Sequence, residues 1–186
     1  RVFLDNATGV AIIELNDPKR FNTFSRELGE DMLQAVTTVQ QREGVRAVVL
    51  QGAGVHFSAG GNPFAQTRQV PLAACASFLR DIYRGFVQLR AGPVPVICAV
   101  HGKLIGGGVA ACLNSDYVVA DANASFEHGN LVRGVCPLGG LSQTLVDAVG
   151  RGRALDIYLL NAVIDSSDAL RKGLVHEVCS AGIEST

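Results

Sequence analysis

Val94-Pro-Val-Ile-Cys-Ala-Val-His-Gly-Lys-Leu-Ile-Gly-Gly-Gly-Val-Ala-Ala-Cys-Leu-Asn-Ser-Asp116 reads as an apolar strand that runs into three glycines and then into an Ala-rich helix. Glycines at such a junction let another group approach the backbone closely. The first turn of a helix leaves N–H groups without intrahelical partners and turns its positive end outward. An oxygen gaining negative charge is stabilised there. A second glycine turn, Phe57-Ser-Ala-Gly-Gly-Asn62, lies upstream, also behind an apolar strand. Two such turns can aim two backbone N–H donors at one oxygen, the arrangement acyl chemistry needs. Plain turn geometry is the alternative for both.

The rest of the composition narrows the class. The 186 residues suit one domain, 1–186, with a real core, and 48% of them are hydrophobic. The net charge of −1, with Lys and Arg scattered, argues against nucleic acid or an anionic membrane as partner. Few aromatics and no Trp leave little for a base-stacking surface. Cys75, Cys98, Cys112, Cys136 and Cys179 are odd in number and lack metal-type spacing. They read as small buried hydrophobes in a reducing compartment, and no metal is expected. No apolar run reaches the roughly 18 residues of a membrane span. The N-terminus reads as a strand rather than a signal peptide. A soluble, cytoplasmic protein is the expectation.

Along the chain, Val2–Leu4 and Val10–Leu15 form a hairpin pattern. Ser25 can cap a helix running to about Arg42, with Leu28, Met32, Ala35, Val36 and Val39 on one face. Val45–Gln51 and Pro95–Val100 are continuous apolar strands of the kind buried on both faces. His56–Ala59 reads as a short strand, and Pro71–Leu89 as a helix. Further strands are expected at Tyr117–Ala120, Ala124–Phe126 and Leu174–Val178. Helices are expected from Pro137 through Val149, at Ala154–Leu160 and at Ser167–Lys172. Strands that alternate with helices point to an α/β fold with parallel β–α–β units.

Four segments taken together resemble one family. They are Leu50-Gln-Gly-Ala-Gly-Val-His-Phe-Ser-Ala-Gly-Gly61, Ala99-Val-His-Gly102 leading through Gly106–Gly108 to Ser115-Asp116, Ala124-Ser-Phe126, and Gly134-Val-Cys-Pro-Leu-Gly-Gly140. In this order, over nearly the whole chain, they resemble the crotonase (enoyl-CoA hydratase/isomerase) superfamily. The resemblance implies a crotonase-like spiral of ββα units and an acyl-thioester substrate. It also implies a homotrimer or a hexamer made as a dimer of trimers. The acyl group would ride on CoA or on the phosphopantetheine of an acyl carrier protein, with no cofactor beyond that. By position, the N–H groups of Gly61 and Gly107 would hold the thioester oxygen as it becomes an enolate.

The chain also departs from that pattern. Hydratases of the family use two glutamates. One follows the triple glycine, where this chain has Ala110; the other sits in a Pro-Glu pair, where it has Gly129-Asn130. Neither Ala nor Asn can act as general base. The two-glutamate hydration route is therefore not expected, and loss of CO₂ or water from an acyl thioester is. Decarboxylases of polyketide β-branching cassettes resemble this arrangement in lacking the pair. The C-terminal helical segment that follows the last strand in family members has no counterpart before Thr186, which suggests a piece cut from a longer polypeptide.

Several side chains are candidates beside the glycines. His128 stands either as proton donor, with an ordinary pKa near 6.5, or as a surface or core histidine. Asn130 can hydrogen-bond a substrate carboxylate or water. Arg133 either pairs with a carboxylate or phosphate or is a solvated loop residue, and Lys103 is a candidate for the phosphates of the carrier arm. Ala59, Asn62, Gly106 and Leu138 complete the expected substrate-binding set. His56 and His101 read as structural, and Glu127 as pointing elsewhere. Three functions compete: an enolate-stabilising lyase, an isomerase or hydrolase of the same fold, and an inactive module serving as scaffold.

Overall fold

The computed structural model of the chain describes residues 1–61 and 71–179. Nine strands and six α-helices alternate along them. β1 (Val2–Asp5) and β2 (Val10–Leu15) form the expected hairpin, followed by α1 (Arg26–Gln41) and β3 (Ala47–Gly52). Next come α2 (Leu72–Ala91), β4 (Val96–Val100), β5 (Lys103–Ile105) and α3 (Gly107–Leu113). β6 (Tyr117–Asp121), β7 (Ser125–Glu127), α4 (Leu141–Val149) and α5 (Arg151–Leu160) follow. β8 (Ile164–Asp165), α6 (Ser166–Lys172) and β9 (Glu177–Cys179) close the described chain.

The main sheet has the order β1-β2-β3-β4-β6-β9, and every pair after the hairpin is parallel. Its register sets Ile13 beside Leu50, Leu50 beside Cys98, and Cys98 beside Val118, a row of buried apolar side chains across four strands. Each such Leu or Ile contributes about 1.5–3 kcal/mol relative to exposure. Of the five cysteines expected as buried hydrophobes, Cys98 and Cys112 are buried here as small apolar groups, whereas Cys75 and Cys179 are half-buried and Cys136 is exposed on the loop ahead of the fourth helix. Ser25 Oγ accepts from Leu28 N at 3.2 Å and starts α1, whose face Met32, Val36 and Val39 is buried. α2 packs on α1 and places Phe86 and Leu89 in the same core.

A second, three-stranded sheet, β5-β7-β8, was not legible beforehand. The expected strand at His56–Ala59 is instead a segment with a single bridge, Ser58 to Leu104. Its bonds are spent on the chain after β4: Phe57 N donates to His101 O at 3.0 Å, and Ile105 N donates to Ser58 O at 3.1 Å. α5 begins at Arg151 because Gly150, with φ 78°, ends α4 and opens the next helix directly. Leu174 and Val175 are buried ahead of the last strand rather than inside it. No helix among the described residues is long and apolar enough to cross a membrane.

Candidate active site

β3 and β4 run parallel and end side by side, and both glycine turns lie beyond their carboxyl ends, where open α/β sheets place ligands. The first turn is held from below by Asn22, which is fully buried and left-handed at φ 51°. Its Nδ2 donates to Ala53 O at 2.9 Å and to His56 O and Phe57 O at 3.0 Å each. Ser58 Oγ donates to Asn22 O at 2.8 Å and accepts from Gly60 N at 3.1 Å. Phe24 N then donates to Gly60 O at 2.8 Å. Gly60 needs its left-handed φ of 81°, because a methyl there would overlap Ile105 O.

In the second turn Gly106, at φ 49°, donates its N–H to Glu127 O at 3.0 Å, and Gly107 opens α3. The two turns meet. A Cβ on Gly107 would lie 3.4 Å from Gly61 N, and one on Gly60 would lie 3.1 Å from Gly107 N. Neither Gly61 N nor Gly107 N has an acceptor among the described residues. Two N–H donors so placed can share one oxygen and stabilise charge that develops on it.

The slot in front of them has a volume of about 40 Å³. Of the expected residues it brings together Ala59, Gly61, Gly106, Gly107, Asn130, Arg133 and Leu138. Asn62 lies outside the described residues. Asn130 donates from Nδ2 to Cys136 O at 2.9 Å, which turns Oδ1 toward Gly106. That Oδ1 is buried without a partner, an acceptor facing the slot. Ala110 is buried, with its Cβ toward Gly139, so the position of the first family glutamate is apolar.

Arg133 sits at the edge of the slot with its charge already engaged. Its Nη1 donates to Gly129 O at 2.7 Å and to Glu127 Oε1 at 3.2 Å. Asn161 braces the same turn, accepting from Gly129 N at 2.6 Å and donating to Glu127 Oε1 at 3.2 Å. Glu127 therefore points away from the slot, as read.

Two candidates are corrected. His128 does not reach the slot: its ring is 3% exposed, edge-on to Tyr158 at 4.9 Å, in a separate apolar cavity with Leu145, Ile157 and Leu174. Burial lowers its pKa, so it is held neutral, and Nδ1 has no partner. Lys103 is exposed at the start of β5 and does not line the slot. His101 hydrogen-bonds Gly54 O at 2.8 Å and His56 packs on Phe21, so both are structural.

Sequence reading missed Asn22 and Tyr83. Asn22 signals itself only as a lone amide between Phe21 and Phe24. Tyr83 lines the slot and also a wider groove of about 610 Å³ with Arg80, Arg84 and Val87.

A parallel α/β sheet with two glycine turns that meet beyond its strand ends and line one slot defines the class of α/β protein, and comparison with known proteins names the family. The enoyl-CoA hydratase/isomerase family model matches residues 5–184, and the chain belongs to that family, with the crotonase fold. A Thermus thermophilus relative bearing an enoyl-CoA hydratase name is 35% identical over 176 residues, 93% of this chain and 69% of the relative. A Mycobacterium abscessus enoyl-CoA hydratase/isomerase structure superposes with a TM-score of 0.91 at 31% identity, covering 98% of this chain and 71% of that one. The Bacillus anthracis enoyl-CoA hydratase structure gives 0.88 at 28% identity, covering 96% and 70%.

Proposed function

We propose that the chain is an enzyme that holds the thioester carbonyl of an acyl-CoA, or of an acyl carrier protein, between Gly61 N and Gly107 N and stabilises the enolate. The observation that carries this reading is the convergence of the two unpartnered N–H groups. One such donor is worth about 10²–10³ in rate. The enoyl-CoA hydratase and isomerase names of the relatives support the thioester class.

The reaction we favour is loss of CO₂, with loss of water second. Among the described residues no Asp or Glu lines the slot. Hydration and dehydration both need a group that takes a proton. Decarboxylation needs none, because the C–C bond supplies the electron pair as it breaks. Asn130 Oδ1 suits a hydroxyl or an amide N–H of the substrate, the donor that its buried oxygen lacks. The groove beyond Tyr83 has room for an acyl chain, and Arg80 and Arg84, against the single carboxylate of Asp81 in the same lining, favour a chain with a second carboxylate.

The test is mass spectrometry of the protein incubated with crotonyl, 3-hydroxyacyl, methylmalonyl and 3-methylglutaconyl thioesters on CoA and on a carrier protein. Loss of the mass of CO₂ is the expected result. Addition of water to the crotonyl ester would overturn the favoured reaction, and no turnover of any thioester would overturn the enzyme reading in favour of a scaffold.

A further inference from the structure

We propose that Tyr83 is the catalytic acid of this site, its hydroxyl handing a proton to the enolate carbon formed in front of Gly61 and Gly107. The assignment rests on the reading of those two glycines as the enolate-binding pair.

Tyr83 stands in the middle of α2 with its ring fixed by two aromatic neighbours. Phe86 meets it edge-on at 5.3 Å, and Phe24 lies tilted at 6.2 Å. The ring belongs to the core and also lines the slot. A Cβ on Gly107 would lie 3.1 Å from Tyr83 Cε1, and a methyl on Gly61 would overlap the Tyr83 oxygen. The hydroxyl therefore occupies the place of a side chain at Gly61, beside the N–H that binds the oxyanion. Gly61 and Tyr83 fit together only because one has no side chain.

A buried tyrosine hydroxyl usually has a hydrogen-bond partner. Tyr83 is 6% exposed, and its hydroxyl has none among the described residues. Among the described residues the slot it faces offers no competing acid. Among the described lining residues only Arg133 and Tyr83 carry an ionisable proton. A guanidinium does not release its proton in a protein, and that of Arg133 is committed to Gly129 and Glu127.

Burial pushes the Tyr83 hydroxyl up to about 12. The donor is therefore loaded at every physiological pH. It is too weak an acid for most acceptors, but an enolate carbon is far more basic than a phenolate. The C–CO₂ bond breaks and leaves its pair in the enolate. The Tyr83 O–H bond breaks as a C–H bond forms at the α-carbon, and the carbonyl re-forms. The tyrosinate takes a proton from water, and the hydroxide so released leaves with CO₂ as bicarbonate.

The test compares the chain with Tyr83→Phe on the thioester that the unmodified chain turns over, in D₂O. Phe keeps the packing against Phe24 and Phe86. The expected result is a kcat lower by about 10²–10⁴-fold with KM within about threefold. Deuterium, which the unmodified chain delivers to one face of the α-carbon, should be scrambled by the variant. Neither a packing role nor a binding role scrambles it. If the variant does not fold, replacing the tyrosines with 3-fluorotyrosine serves instead, and the alkaline limb of the pH–rate profile should move to lower pH. Unchanged rate and stereochemistry in Tyr83→Phe, or an unmoved limb, overturns Tyr83 and leaves the glycine pair standing. No turnover of any thioester by the unmodified chain overturns the glycine pair and Tyr83 with it.

Discussion

The slot has two halves of different make. One is backbone: Gly60-Gly61 and Gly106-Gly107, fixed by Asn22, Ser58 and the chain after β4. The other is side chains: Asn130, Arg133, Val135 and Leu138, with Asn130 Oδ1 the unpartnered acceptor among the described residues. The backbone half presents two N–H donors without an acceptor among the described residues. Among the described residues the side-chain half presents no carboxylate and no histidine. The contrast separates binding of an oxyanion from transfer of a proton, two jobs often credited to one cluster of residues. It directs attention to Tyr83, which belongs to neither half and lies between them.

The contrast breaks most sharply when one polar contribution is removed from each half. Gly107→Pro deletes an N–H at the first position of α3, where a helix accepts proline, and its ring also presses on Tyr83, since a Cβ there lies 3.1 Å from Tyr83 Cε1. We expect kcat to fall by about 10²–10³-fold, while circular dichroism and thermal melting report an intact fold. Asn130→Leu removes one neutral acceptor, worth about 0.5–1.5 kcal/mol, together with the Nδ2 bond to Cys136 O, and should lower kcat/KM by about tenfold or less while costing some stability. Equal losses in the two variants would mean that the side-chain half carries as much of the chemistry as the backbone half.

The same contrast marks what the sequence could tell. The backbone half is legible because its turns carry glycines at left-handed φ, Gly60 and Gly106, so Gly61 and Gly107 beside them could be named from two short runs. Ala110 and Asn130 were legible by position, since both lie at fixed spacing from those glycines. His128 was misplaced because neighbours in sequence were treated as neighbours in space. The alternation that starts in β7 buries Phe126 and then His128 on one face, and the chain turns back to the slot only at Gly129-Asn130. Tyr83 was invisible for a different reason. It lies one position off the apolar stripe of α2, and its hydroxyl reaches a glycine on a distant turn. No local period encodes that contact.

His128 offers a second, smaller test of which side of the fold it serves. Its pKa is lowered by burial, so the folded protein refuses a proton that the unfolded chain accepts. The stabilising contribution of the neutral ring is complete above the ordinary value near 6.5 and is lost as the pH falls through it toward the lowered folded value. Urea melts at pH 7.5, 6.5 and 5.5 should show a steeper loss of stability for the unmodified chain than for His128→Phe. Activity on a neutral thioester should be nearly the same in both. A His128→Phe variant with an altered pH–rate profile but the parent's pH–stability curve would place the ring in the chemistry and undo the correction.

The smallest effect concerns the groove past Tyr83. Arg80 and Arg84 lie one helical turn apart, both exposed, and neither is ion-paired among the described residues. Exposed charges contribute only about 0.2–1 kcal/mol each to a contact. A double change to Gln should therefore weaken a carboxylate-ended ester such as glutaryl-CoA by about three- to tenfold, and the loss should shrink as salt is raised. A neutral ester of similar length should bind both forms alike, because its chain meets Val87 and Tyr83 rather than the guanidinium groups. Titration calorimetry at two ionic strengths separates the cases. Equal weakening of both esters would assign the arginines to packing through their methylene stems, and the groove would then select acyl groups by length instead of charge.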